Sequence, residues 1–210
     1  MTSAPPEGSS TRGKILWAAL TLLGERAGSI ASVRAIAARA GVSTGALQHH
    51  FPAKQDLVDE VMTVVYDTVL PSDYLEDTSV PARDRLISCL EQVVSPNGVD
   101  VPPRQAWQVT YERYLSPEAS EDARMEYSAI ERELCRRIEQ CLIALHRERA
   151  VPAGDHARTA RALLTVALGV SVTRALPHGE HTASTATDVL HAAADAVLTA
   201  PAGQDLSSDV

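Results

Sequence analysis

Residues 32–54, SVRAIAARAGVSTGALQHHFPAK, leave this chain few choices of local fold. Val33, Ile36, Ala37 and Ala40 recur at helical spacing, which gives a short helix one apolar face. Gly41 stands where such a helix ends in a residue of positive φ. Val42 plugs the turn. Ser43 or Thr44 is placed to cap a second helix, and Leu47 points back to a core. Two short helices joined by a tight glycine turn make a helix-turn-helix. Ala37 and Gly41 allow the two helices to cross closely. Gly45 and Ala46 keep the second helix thin enough to lie in a major groove.

The segment IAARAGVSTGALQHHFPAKQDL resembles the DNA-binding signature of the tetracycline-repressor (TetR) family, I-A-x-x-A-G-V-S-x-G-x-L-Y-x-H-F-x-x-K-x-x-L. Ile36, Ala37, Ala40, Gly41, Val42, Ser43, Gly45, Leu47, His50, Phe51, Lys54 and Leu57 match it. The tyrosine that the family places after the leucine is Gln48 here, a side chain able to hydrogen-bond a phosphate or a base edge. The resemblance covers roughly the first quarter of the chain; beyond it only the helical layout is similar. It implies an all-α fold of nine helices: a three-helix helix-turn-helix domain followed by a larger helical domain for ligand binding and dimerisation. It also implies a DNA-binding regulator, a repressor that holds a palindromic operator as a homodimer and is released by a small effector. An activator of the same family, or a helical interaction module without an effector, are the alternatives. The alanine-rich last two helices resemble a BetI-type C-terminal region.

The whole chain carries a net charge of −8, which at first argues against a nucleic-acid partner. The distribution reverses that reading. Residues 1–60 hold six Lys/Arg against five acids, the rest thirteen Arg against twenty-two acids, and no acid lies between Glu25 and Asp56. Phosphate binding needs a local basic surface, not a basic chain. Apolar residues make up 45% of the 210, enough for a sizeable core, with no run long enough to span a membrane. The N-terminus has no apolar segment of the signal-peptide kind. Cys89, Cys135 and Cys141 have no metal-type spacing and read as reduced thiols of a cytoplasmic protein. No catalytic motif occurs, so an enzyme is not expected, and no cofactor is implied.

The pattern predicts a disordered arm (1–9), a DNA-binding domain (10–54), a ligand-binding and dimerisation domain (55–199) and a disordered tail (200–210). Helices are expected over 11–27, ended by Gly28, and over 54–70, stopped by Pro71. Further helices are expected over 82–94, 104–115, 117–149 with Ser116 as its cap, 155–176 and 182–199. The charges Glu131, Arg132, Glu133, Arg136, Arg137 and Glu139 read as a solvated face.

Thr44, Gly45, Ala46, Gln48 and His49 are the expected groove-facing set. Ser43 lies at their start, and His50 matches the family histidine. Ser32, Arg34 and Lys54 are candidate phosphate contacts, Lys54 in the first turn of its helix. Arg12 and Lys14 reach a phosphate or minor groove, or are solvated. Family resemblance places a pocket for a small, partly apolar effector among the fourth to eighth helices. Its soft and aromatic candidates are Met62, Tyr66, Cys89, Trp107, Tyr111 and Tyr114, with plain core as the other reading of Trp107 and Tyr111. The eighth helix is apolar around most of its girth, so a dimer interface is expected at Leu163, Leu164, Ala167, Leu168, Val189, Leu190, Ala193 and Val197. His178, Glu180 and His181 lack the second ligand cluster that a metal site needs.

Overall fold

A computed structural model describes residues 5, 8–25, 30–70, 73–94, 101–177 and 180–198, with the backbone alone over 180–184. The helices are α1 (Thr11–Glu25), α2 (Val33–Ala40), α3 (Thr44–His50), α4 (Lys54–Val69), α5 (Ala82–Val94), α6 (Pro103–Thr110), α7 (Glu121–Arg147), α8 (His156–Ala175) and α9 (Glu180–Asp195). A 3-10 turn (Asp73–Leu75) precedes α5, and a π-helical turn (Tyr111–Leu115) extends α6. No strand occurs among the described residues, and the fold is all-α. Several expectations lie outside the described residues: most of the arm, the stops at Gly28 and Pro71, the start of the break after α5, the side chains of His178, Glu180 and His181, and the tail.

The chain divides into two compact units, Met1–Pro71 with Ala106–Leu134, and Ser72–Gln105 with Cys135–Val210. The first is built on Ile15, Ile36, Leu47, Leu57, Val58 and Val61, each at most 1% exposed. Burial of each such side chain stabilises by about 1.5–3 kcal/mol. This partition differs from the functional division expected at residue 54. The apolar face of α4 closes the core of the first three helices, and Ala129 of α7 joins it. A polar seam also ties α4 to α7. The Gln55 amide donates to Asp59 and to the Met125 carbonyl, Arg132 pairs with Asp59, and the Thr63 hydroxyl donates to Glu133.

In the second unit α5, α8 and α9 pack on one another. Arg85, 2% exposed, holds the chain entering α5. Its Nε donates to the Val80 carbonyl (3.0 Å), its Nη1 to the Leu75 carbonyl (2.8 Å), and its guanidinium pairs with Glu148. Arg174 of α8 donates to Glu91 of α5 and to Thr187 of α9. Cys89 and Cys141 are buried, and no disulfide forms. Donation from the Cys141 thiol, with smaller help from the Tyr74 hydroxyl and the Arg137 charge, holds the Cys89 thiol below its ordinary range. Burial pushes the Tyr74 hydroxyl up.

Two expectations are corrected. The seventh helix begins at Glu121, not at Pro117: Ser116 closes the π-helical turn, and the Ser120 hydroxyl accepts the Ala123 N–H as the cap. Nor is the charged run on α7 wholly solvated. Glu133 and Arg137 are 3% and 7% exposed, because they share a face with the core residues Leu134, Ile138 and Cys141.

Candidate nucleic-acid interface

Both helices of the turn are capped by serines. The Ser32 hydroxyl accepts the Ala35 N–H (3.3 Å), and the Ser43 hydroxyl accepts the Ala46 N–H (3.0 Å). Accepting uses a lone pair only, so each O–H can still donate outward to a phosphate. Gly41 has φ +68°, and the Val42 N–H returns to the Ala37 carbonyl (3.0 Å), which turns the chain within three residues. A side chain in this left-handed conformation would be strained.

The second helix of the pair is divided cleanly by burial. Leu47 and Phe51, four apart, are 1% and 2% exposed. Ser43, Thr44, Gly45, Gln48 and His49 are exposed, and Ala46 and His50 are half-buried. A Cβ on Gly45 would meet only the Ser43 hydroxyl, at 3.9 Å. The outward strip therefore combines a low-profile start with two side chains that donate and accept at base edges. Ser32 and Arg34 are exposed at the start of α2, and Lys54 opens α4. The Asp56 carboxylate accepts the Ala53 N–H (2.9 Å) and caps that helix.

The acid-free interval is less basic in space than in sequence. Lys54 pairs with Asp122 of α7 (2.5 Å). Arg39 makes a two-pronged pair with Glu25 (2.8 and 2.7 Å), whose hydrogen bonds hold the Glu25 carboxyl below its usual range. Arg12 pairs with Glu60 and lies over the Phe51 ring, 5.0 Å from its centroid. Two cations of the interval, Arg39 and Lys54, and Arg12 before it thus carry carboxylates supplied from outside residues 26–55.

A family profile described as "Bacterial regulatory proteins, tetR family" matches residues 15–61, from α1 into α4. This matched stretch, less than a quarter of the chain, is similar to the proteins of that family. The chain is 35% identical over 75 residues to the HTH-type transcriptional repressor KstR2 of Mycobacterium tuberculosis, covering 35% of this chain and 38% of that protein. It is 41% identical over 64 residues to KstR2 of Rhodococcus jostii, covering 28% and 31%. The chain thus spans well under half the length of the curated relatives it matches. The solved structure of RolR in complex with resorcinol is 14% identical with a TM-score of 0.50, covering 89% of this chain and 87% of that one, and shows the fold alone.

The chain keeps five of its six expected ligand residues in the first unit. Met62 is 6% exposed in that core, with Tyr66 packed partly against it. Trp107 is half-buried on α6, a helix with no fully buried residue. Tyr111 is 55% exposed. Tyr114 tilts on Tyr127, centroids 5.5 Å apart, and burial raises both hydroxyls. Cys89 lies in the second unit, among its buried thiols.

The expected dimer residues also divide. Leu163, Leu164, Ala167 and Leu190 are at most 3% exposed within the single chain, covered by its own packing. Leu168, Ala193 and Val197 are half-buried, and Val189 is 47% exposed. No helix among the described residues is long and apolar enough to cross a membrane. Among those residues no group of three His, Cys, Asp or Glu is arranged to hold a metal ion.

Sequence reasoning passed over Glu126, a buried carboxylate of α7. The available signal was its spacing: Glu126, Glu133 and Arg137 fall on the apolar face of that helix.

Proposed function

We propose that this protein is a TetR-family regulator: a cytoplasmic, ligand-responsive repressor that binds a palindromic operator as a homodimer. The observation that supports it is the outward strip Thr44, Gly45, Gln48 and His49, on a serine-capped helix seated by buried Leu47 and Phe51. One helix-turn-helix buries too little surface for operator affinity. Two related by a twofold axis read half-sites about 34–36 Å apart. Ser32, Ser43, Arg34, His50 and Lys54 hold phosphates, and Gln48 and His49 read bases. The matched relatives described as repressors favour repression over activation. The dimer forms on the outward faces of α8 and α9, through Leu168, Val189, Ala193 and Val197.

The effector is small and partly apolar, held by Met62, Tyr66, Trp107, Tyr111 and Tyr114. Helix α4 carries Lys54 at one end and Met62 and Tyr66 further along, so a ligand that favours another tilt of α4 changes the spacing of the reading helices. Coupling of about 1–3 kcal/mol is the ordinary size of such an effect.

Footprinting the intergenic DNA beside the protein's own gene tests the reading. A protected palindrome is expected, and Gln48→Ala should change which base pairs are preferred while total phosphate contact stays the same. Protection that tracks no sequence, in wild type and variant alike, would overturn it.

A further inference from the structure

Glu126 is 3% exposed, and each of its oxygens is committed to a different element. Oε1 accepts the backbone N–H of Ile30 at 2.7 Å. Oε2 accepts from Nη2 of Arg113 at 2.6 Å. Ile30 lies two residues before Ser32, the cap of α2, so this hydrogen bond sets where the helix-turn-helix begins. Arg113 lies in the π-helical turn Tyr111–Leu115, whose widened backbone shows in the bond from the Ser116 N–H to the Tyr111 carbonyl, 2.9 Å. The Arg113 guanidinium also covers the Tyr114 ring, 5.2 Å from its centroid, beside the exposed Tyr111.

We propose that Glu126 is a positioning residue that relays the state of the π-helical turn to the first helix of the DNA-reading pair. Three observations carry this. A buried carboxylate is a costly way to fill a core, and an apolar side chain of similar volume would pack there at less cost. Its two partners are the start of α2 and a turn with an alternative geometry. A π turn holds one residue more than an α turn, and short π segments recur at functional sites. Relaxing it to α-helix rotates the residues on one side of it and withdraws Arg113 from Glu126. On this proposal the turn is the two-state element that coupling between sites requires. A molecule that packs on Tyr111 and Tyr114 meets Arg113 directly.

With Arg113 withdrawn, Glu126 is a buried charge without its cation. It turns to another donor or to water, and the Ile30 N–H loses its acceptor. The start of α2 loosens, and the recognition helix loosens with it. The inference rests on the DNA-binding reading for its output, not for its geometry.

The test uses the full chain with Arg113→Gln, Arg113→Lys and Glu126→Gln. Native-state hydrogen exchange reads the amides of residues 30–50 against those of α5 and α8. Binding to the footprinted DNA is titrated over a salt series. Arg113→Gln is expected to speed exchange over residues 30–50 and to weaken DNA binding, each by roughly three- to tenfold, the net worth of one hydrogen bond. Exchange in α5 and α8 should hold, and so should the salt slope, because no phosphate contact is removed. Arg113→Lys should restore both, since an ammonium can reach Oε2. Glu126→Gln keeps an acceptor for Ile30 but no charge for Arg113, so it should uncouple the two sides: α2 stays protected, and Arg113→Gln added to it changes nothing further. Unchanged exchange and affinity in Arg113→Gln, or a uniform loss of protection through the whole first unit, would overturn the relay. A wild type that binds no DNA while the exchange pattern appears would overturn the function and leave the relay standing.

Discussion

If Lys54 holds a phosphate, as proposed, its side chain keeps that contact in reserve. Its ammonium sits 2.5 Å from Asp122, whose side chain is 53% exposed. An exposed pair of this kind is worth about 0–1 kcal/mol, little enough for a phosphate to displace the carboxylate. Lys54→Ala should therefore weaken binding to every duplex and lower the salt slope by about one unit. Asp122→Asn should tighten binding by up to about fivefold, the upper end of such a pair. In a Lys54→Ala background it should do nothing, because the two side chains act on one contact. Isotherms over a salt series check all three. The cations were legible from the sequence, as was the acid-free interval around them. The carboxylates that fold back onto them were not: Asp122 is 68 residues from Lys54 and Glu60 is 48 from Arg12.

At the scale of elements, the second unit is clipped together by arginines. Arg85 satisfies two carbonyls and Glu148 at once. Arg85→Ala leaves those acceptors without a donor and should cost about 3 kcal/mol, seen as a lower urea midpoint. Glu91 and Glu148 are each held below the ordinary carboxyl value of 4.5 by hydrogen bonds from Arg174 and Arg85. A depressed folded-state pKa gives stability that is full above that value and is lost as pH falls through the folded one. The melting temperature should hold from neutrality to about pH 5 and fall below it. Arg174→Gln should shrink that acid loss, whereas a wild-type melting temperature flat to pH 3 would show that these pairs contribute nothing.

At the scale of the molecule, the proposed homodimer needs an apolar face of α8 and α9 for a second chain to cover. Leu164 is 3% exposed in the chain alone, while Val189 is 47% exposed. Leu164→Glu should unfold the unit, and Val189→Glu should leave it folded but monomeric. Sedimentation and far-UV circular dichroism together separate these outcomes. The proposed function also demands reciprocity: effector and operator should each weaken the other by the same factor, since both would act on one equilibrium. Equal effector affinities with and without operator would mean that binding at one site does not reach the other.

What the sequence determined by itself is what acts over a few residues. Capping serines, the glycine at Gly41, the four-residue spacing of Leu47 and Phe51 and the period of α1 to α4 are local, and the helix-turn-helix follows from them. The tertiary structure alone decided the rest. An apolar stripe states that it must be covered and not by what, so Leu163 and Leu164 read as an interface and proved to be core. A charge on a helix reads as solvated unless its partner is known. Glu133 and Glu126 are buried against partners far along the chain, Thr63 70 residues from the one and the Ile30 amide 96 residues from the other. Such pairings depend on which helices pack together, and no window of sequence contains both partners.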